Sequence, residues 1–259
     1  MKHSLIFLLV LILTVSVYPV NRTNLLKKET ITFKSKDSVN VTADLYLVKD
    51  SKAPFILLFH QAGWSRGEYN EIAPKLNEMG FNCMSVDLRA GGGVNFVQNL
   101  THQSAVELKK GTSYIDAIQD IEAAVNFARK NYAKGKIILW GSSYSASLVI
   151  KYAGDHPKNI DGVLAFSPGE YFEKAGKSKT YIQDAAKNVK CPVFITSARS
   201  EKVDWDKIYN AIPSKNKIWF LPSSEGYHGA RVLWKQFKIS DEYWKAVDSF
   251  LSKNFLTNK

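Results

Sequence analysis

Short, unbroken apolar runs separated by segments of helical spacing leave this chain few architectures to choose from. FILLFH, at residues 55 to 60, shows no polar–apolar alternation, as expected of a strand covered on both faces. Similar runs follow at FNCMSVDL (81 to 88), KIILW (136 to 140), DGVLAFS (161 to 167), CPVFITSA (191 to 198) and NKIWFLP (216 to 222). Helical spacing marks GEYNEIAPKLNEMG (67 to 80), Ser113 to about Tyr132, the stretch after Ser143, a short segment after 198, and Asp241 to about Phe255. Ahead of the first central run, ETITFKS (29 to 35) and VNVTADLYLV (39 to 48) flank a Lys-Asp-Ser turn, the pattern of an antiparallel hairpin. The order predicts a single α/β domain over residues 28–257, an eight-stranded, mostly parallel sheet with helices on both faces. Ligands in such sheets bind beyond the carboxyl ends of the strands, so chemistry is sought in the loops there.

One such loop is long. The segment from Ala90 to about Gly111 is glycine-rich and is expected to be a functional wall or a mobile cover. Its Gly91-Gly92-Gly93 run has no G-K-[ST] continuation, so a flexible loop is expected rather than a phosphate cradle. Asp87 and Arg89, just before it, read as an ion pair or as a site-edge pair of the fold. No H-E-x-x-H or Cys/His cluster calls for a metal, and no cofactor is expected.

The net charge of +11 raises the question of a nucleic-acid partner. The lysines are scattered, pairs such as Lys27-Lys28 and Lys109-Lys110 lack interleaved aromatics, and no nucleic acid is expected. Residues 1–20 carry one lysine and then an apolar run from Leu5 to about Val17, shorter than the roughly 20 residues of a spanning helix. Two readings stand: a secretory signal peptide, or an uncleaved N-terminal membrane anchor, since no A-x-A site follows. Either implies export or attachment to the membrane. Cys83 and Cys191 fall on strands too far apart to pair, so two free, mostly buried thiols are expected.

IILWGSSYSASL, residues 137 to 148, runs from strand into helix across small residues. A serine hydroxyl needs a base, an acid to orient the base, and amides aimed at the developing oxyanion. A sharp strand-to-helix turn can lift Ser143 out of the sheet and point helix N-terminal amides at the same spot. A helix N-cap would also explain Ser142 or Ser143.

With FHQAGWS (59 to 65), VDLRAGGG (86 to 93), GSSYS, ITSARSEKV (195 to 203) and EGYHG (225 to 229) at successive strand ends, the chain resembles small, lid-poor α/β-hydrolases. It is similar to dienelactone hydrolases and related bacterial esterases over nearly everything after residue 28. The resemblance implies Ser143 as nucleophile, with acid and histidine following in chain order. His228 matches the base. His3 lies in the leader, His156 ends a helix, His102 sits in the long loop, and His60 is expected to order the loop that shapes the oxyanion hole. Glu201 matches the acid, with Asp204 the alternative. The backbone amides of Ala62 and Tyr144 match the oxyanion hole, although Gln61 stands where glycine is common. Trp64, Tyr171 and Phe172 are candidate pocket walls. The implied activity is hydrolysis of a small-molecule carboxylic ester. A thioesterase, lactone hydrolase or peptidase would use the same triad, and an inactive domain would act as an envelope binding module. The oligomeric state has no sequence signal.

Overall fold

A computed structural model describes residues 28–48 and 50–256, so the leader expected at residues 1–20 lies outside the described residues. Eight strands form one sheet: β1 (Lys28–Lys34), β2 (Asn40–Tyr46), β3 (Phe55–Phe59), β4 (Asn82–Val86), β5 (Ile137–Ser142), β6 (Gly162–Phe166), β7 (Val193–Thr196) and β8 (Lys217–Phe220). Their order across the sheet is β1-β2-β4-β3-β5-β6-β7-β8. Only β2 runs antiparallel to its neighbours, pairing β1 as the expected hairpin and β4 on its other side. From β4 to β8 every pairing is parallel.

The unbroken apolar character of β3 has the cause inferred from sequence. Phe55, Leu57 and Phe59 face one core and Ile56 and Leu58 the other, all fully buried. The helices are α1 (Ile72–Glu78), α2 (Leu100–Glu107), α3 (Ile118–Asn131), α4 (Tyr144–Asp155), α5 (Tyr181–Ala186), α6 (Lys202–Ala211) and α7 (Ser240–Phe255). Residues of α3 to α6 fill the first core, those of α1 and α7 the second. The helix expected over 67 to 80 divides: Arg66–Tyr69 is a 3₁₀ turn capped by the Ser65 hydroxyl, and α1 follows. Cys83 on β4 and Cys191, just before β7, are both free, one buried and one half-buried.

Two expectations near the long loop are corrected. Asp87 and Arg89 do not pair with each other. Arg66 bonds Asp87 at 2.6 Å and also meets Asp44, whereas Arg89 lies between Asp37 (2.7 Å) and Asp120 (2.8 Å). Both residues lie past the end of β4, where the chain leaves the sheet, and each charge is neutralised by partners of its own. The Ala90–Gly111 loop is also built rather than loose. It forms a two-stranded ribbon (Gly93–Val94 with Val97–Gln98) and then α2. Thr101 and Ser104 of α2 accept the β2 amides of Thr42 and Asn40, which lie beyond the end of β4. The glycines permit close approach: a Cβ on Gly91 would lie 2.0 Å from Asn99 Nδ2 and 2.2 Å from the Trp64 carbonyl. Backbone contact, rather than flexibility, explains the run.

Candidate active site

The strand β5 ends at Ser142, and α4 begins at Tyr144, leaving Ser143 alone in the turn. Its backbone is left-handed, at φ 61° and ψ −125°, a conformation that side chains rarely adopt outside functional turns. Ser142 and Tyr144 are buried while Ser143 is partly open to solvent, so the turn presents one hydroxyl. The first motif position must be glycine: a Cβ on Gly141 would sit 2.5 Å from the Ala146 backbone nitrogen. The last need not be. The buried Ser145 hydroxyl accepts the Ser142 amide (2.8 Å) and reaches the carbonyls of Phe59 (2.8 Å) and Ser142 (2.9 Å), pinning the elbow to the end of β3. Ser145→Ala is therefore expected to lower unfolding free energy by about 1–3 kcal/mol, measured by urea titration, because it strands a buried amide. An unchanged midpoint would refute that role.

His228 stands on the loop after β8, and its Nδ1–H donates to Glu201 Oε1 at 2.6 Å. This fixes the tautomer and leaves Nε2 to act as a base. Glu201 sits on the 3₁₀ turn after β7. Burial raises the Glu201 pKa, but hydrogen bonds from His228 and Ser167 outweigh it and hold the carboxyl below its usual range. Ser167, at the end of β6, donates to Glu201 Oε2 (2.6 Å) and accepts the Gly229 amide (2.9 Å), so one hydroxyl ties the acid to the histidine loop. The same loops meet again where the Arg199 amide donates to the Glu225 carbonyl at 2.7 Å. Asp204 lies exposed in the first turn of α6 and makes no bond to His228.

The other histidines among the described residues lie elsewhere. His60 is fully buried, its Nδ1–H donates to the Gln61 carbonyl (2.7 Å) and its Nε2 accepts the Leu88 amide (2.8 Å). Burial pushes its pKa down to about 4, so it is a neutral brace for the loop after β3, as expected. His102 Nδ1–H donates to the Arg89 carbonyl at 2.7 Å, and His156 closes α4. Among the described residues, the amides of Ala62 and Tyr144 donate to no protein acceptor, whereas the Ser143 amide is taken by the Phe166 carbonyl at 2.7 Å. The Tyr144 amide thus stands free at the N-terminus of α4 beside Ser143, and the Ala62 amide stands free on the loop after β3, which Glu68 ties to Ser142 through Gln61.

A family model described as "Serine aminopeptidase, S33" matches residues 50–175. No curated protein matches the chain in sequence. Among solved structures, the chain is similar to the Pyrococcus furiosus esterase Pf2001, with TM-score 0.65, 20% identity, and 89% of this chain and 93% of that chain covered. It is also similar to the dienelactone hydrolase of Anabaena variabilis ATCC 29413, with TM-score 0.69, 11% identity and coverage of 88% and 98%. The chain has the α/β-hydrolase fold. A further likeness is to Est1E of Butyrivibrio proteoclasticus, solved with ferulic acid, at TM-score 0.65, 14% identity and coverage of 88% and 100%.

The three candidate pocket walls differ in exposure. Trp64, half-buried, stacks on Trp234 with centroids 5.3 Å apart, and the Arg231 guanidinium lies 5.9 Å above its ring. Tyr171 is half-buried near Ser143, its hydroxyl donating to the Ser167 carbonyl at 2.8 Å. Phe172 is 1% exposed and packs edge-on to Tyr181 inside the core. Three buried polar residues of this region, Glu68, Ser142 and Ser167, carry no sequence signal of their own. Only their placement beside matched strand-end motifs could have drawn attention to them.

Proposed function

We propose that the protein is a serine hydrolase that cleaves small-molecule carboxylic esters through an acyl-enzyme. The observation that carries this reading is the single exposed hydroxyl of Ser143 on a left-handed elbow, in one site region with the His228–Glu201 pair at 2.6 Å. Ser143 Oγ attacks the ester carbonyl as His228 Nε2 takes its proton. Glu201 stabilises the imidazolium that forms, and the amides of Ala62 and Tyr144 receive the oxyanion. His228 then returns the proton to the leaving alkoxide, the alcohol departs, and water repeats the sequence on the acyl-Ser143 ester. The esterase names of Pf2001 and Est1E, and the dienelactone hydrolase, support an ester or lactone as the electrophile.

The test is turnover of p-nitrophenyl esters across acyl lengths beside thioester, lactone and peptide amide panels. Ester turnover with a chain-length optimum is the expected result. Turnover of amides alone would favour the peptidase reading, which the "Serine aminopeptidase, S33" match also supports. No turnover of any substrate would favour a binding module. We further propose export or membrane attachment, supported by the lysine and apolar run of residues 1–20. Among the described residues no helix is long and apolar enough to cross a membrane. Cell fractionation with N-terminal sequencing distinguishes cleavage from retention.

A further inference from the structure

Behind the elbow lies a carboxyl that this reaction does not use. Glu68, on the Arg66–Tyr69 turn, has no solvent exposure. The Gln61 amide donates to its Oε2 (2.8 Å) and the Ser142 hydroxyl to its Oε1 (2.7 Å). Ser142 Oγ in turn accepts the Ala230 amide at 2.9 Å. The Glu68 carbonyl accepts Trp234 Nε1–H at 2.8 Å. Each contact lands in a different catalytic loop: Gln61 precedes Ala62, Ser142 precedes Ser143, and Ala230 is two residues past His228.

The three loops close on one another without spare room. A Cβ on Gly229 would lie 2.6 Å from both Gln61 Oε1 and Ser142 Oγ. Packing alone does not call for an acid here, since burying a carboxylate costs several kcal/mol unless its hydrogen bonds are made. We propose that Glu68 is a positioning residue: its carboxylate sets the register of the oxyanion loop, the nucleophile elbow and the histidine loop through Gln61, Ser142 and Ala230. The proposal rests on the hydrolase reading above.

The direction of the bonds selects the ionised form. A carboxylate accepts both the Gln61 N–H and the Ser142 O–H, and Ser142 Oγ remains free to accept Ala230. A protonated Glu68 must donate one of its bonds, which reverses the Ser142 link or breaks the Gln61 one. Burial raises the Glu68 pKa to about 7, and the two hydrogen bonds and the charges of His228 and Arg231 oppose the rise. The other titratable groups around it, the Tyr69 and Tyr144 phenols, are pushed well above their usual value by burial and stay neutral. The carboxyl therefore takes up its proton as pH falls through neutrality, and the aligned arrangement is lost in the same direction.

Glu68→Gln and Ser142→Ala in the full chain, assayed on the best ester from pH 5 to 9, test this. Each is expected to lower kcat by about 10- to 100-fold with KM within about threefold, as for a misplaced rather than missing group. The double variant should be little worse than either single one. In the wild type kcat should fall as pH drops through the Glu68 titration near 7, and that component of the acid limb should be absent from Glu68→Gln. Wild-type kcat and an unchanged acid limb in both variants would overturn the proposal. Should Glu68→Gln melt at the assay temperature, Ser142→Ala decides alone, on kcat and on the same limb. Should the wild type turn over no substrate, the hydrolase reading fails separately. Amide hydrogen exchange over residues 60–64 and 228–232 then decides: faster exchange in Glu68→Gln supports the positioning role, and equal rates overturn it.

Discussion

Ser143→Ala is expected to lower kcat for ester turnover by about 10⁴- to 10⁶-fold, with the thermal midpoint within a few degrees of wild type. The size of the loss follows from chemistry: no other group supplies the oxygen that bonds the acyl carbon, so only the slow attack of water on a bound ester remains. Folding should tolerate the change, since the Ser143 side chain is partly exposed and the contacts that shape the elbow belong to its amide, to Gly141 and to Ser145. Steady-state kinetics beside a calorimetric melt separates the two effects. Substantial turnover in Ser143→Ala would transfer the nucleophile's role elsewhere, with Ser142 and Ser145 poor heirs because both are fully buried.

The second large effect is expected at the acid. Glu201→Gln should reduce kcat by about 10³- to 10⁴-fold, because an amide can offer its N–H₂ to Nδ1 and stabilise the wrong imidazole tautomer. Asp204→Asn should change kcat less than about twofold, as its exposed carboxylate makes no bond to the histidine. The pair of variants settles the ambiguity between the two acids in kinetic terms. A large loss in Asp204→Asn with a small one in Glu201→Gln would invert the assignment. Ionisation of Glu201 persists into acid because its pKa is held down, so the acid limb of the wild type should report Glu68 rather than Glu201.

Much of this architecture was legible because it rests on local patterns. The unbroken apolar run at β3 reflects burial on both faces, with Leu57 pointing to one core and Leu58 to the other, a demand written directly in residue type. Ser143, Glu201 and His228 could be named as candidates because each follows a recognisable strand in the order the resemblance implies, and the last two do meet, at 2.6 Å. The partners of Asp87 and Arg89 could not be read, since both lie past the end of β4 and those partners, Arg66, Asp37 and Asp120, are distant in sequence. The long loop misled for a related reason. Glycine reads as freedom in a sequence, but Gly91 and Gly92 are required by backbone pressed against Trp64 and Gly63. Glu68 lay within a segment of helical spacing, where nothing in residue type set it apart. Its burial depends on the 3₁₀ turn that starts at Arg66 and on contacts with residues 74 and 166 positions away in sequence, which periodicity does not encode.

The mechanism stands or falls with Ser143 as the activated nucleophile of this site. The decisive experiment is to incubate the wild-type protein with a fluorophosphonate and map the adduct by tandem mass spectrometry. One stoichiometric adduct is expected on Ser143, formed more slowly below pH 6 and absent from His228→Ala. Label on Ser142, Ser145 or another residue, or no adduct after prolonged incubation at pH 8, would contradict it.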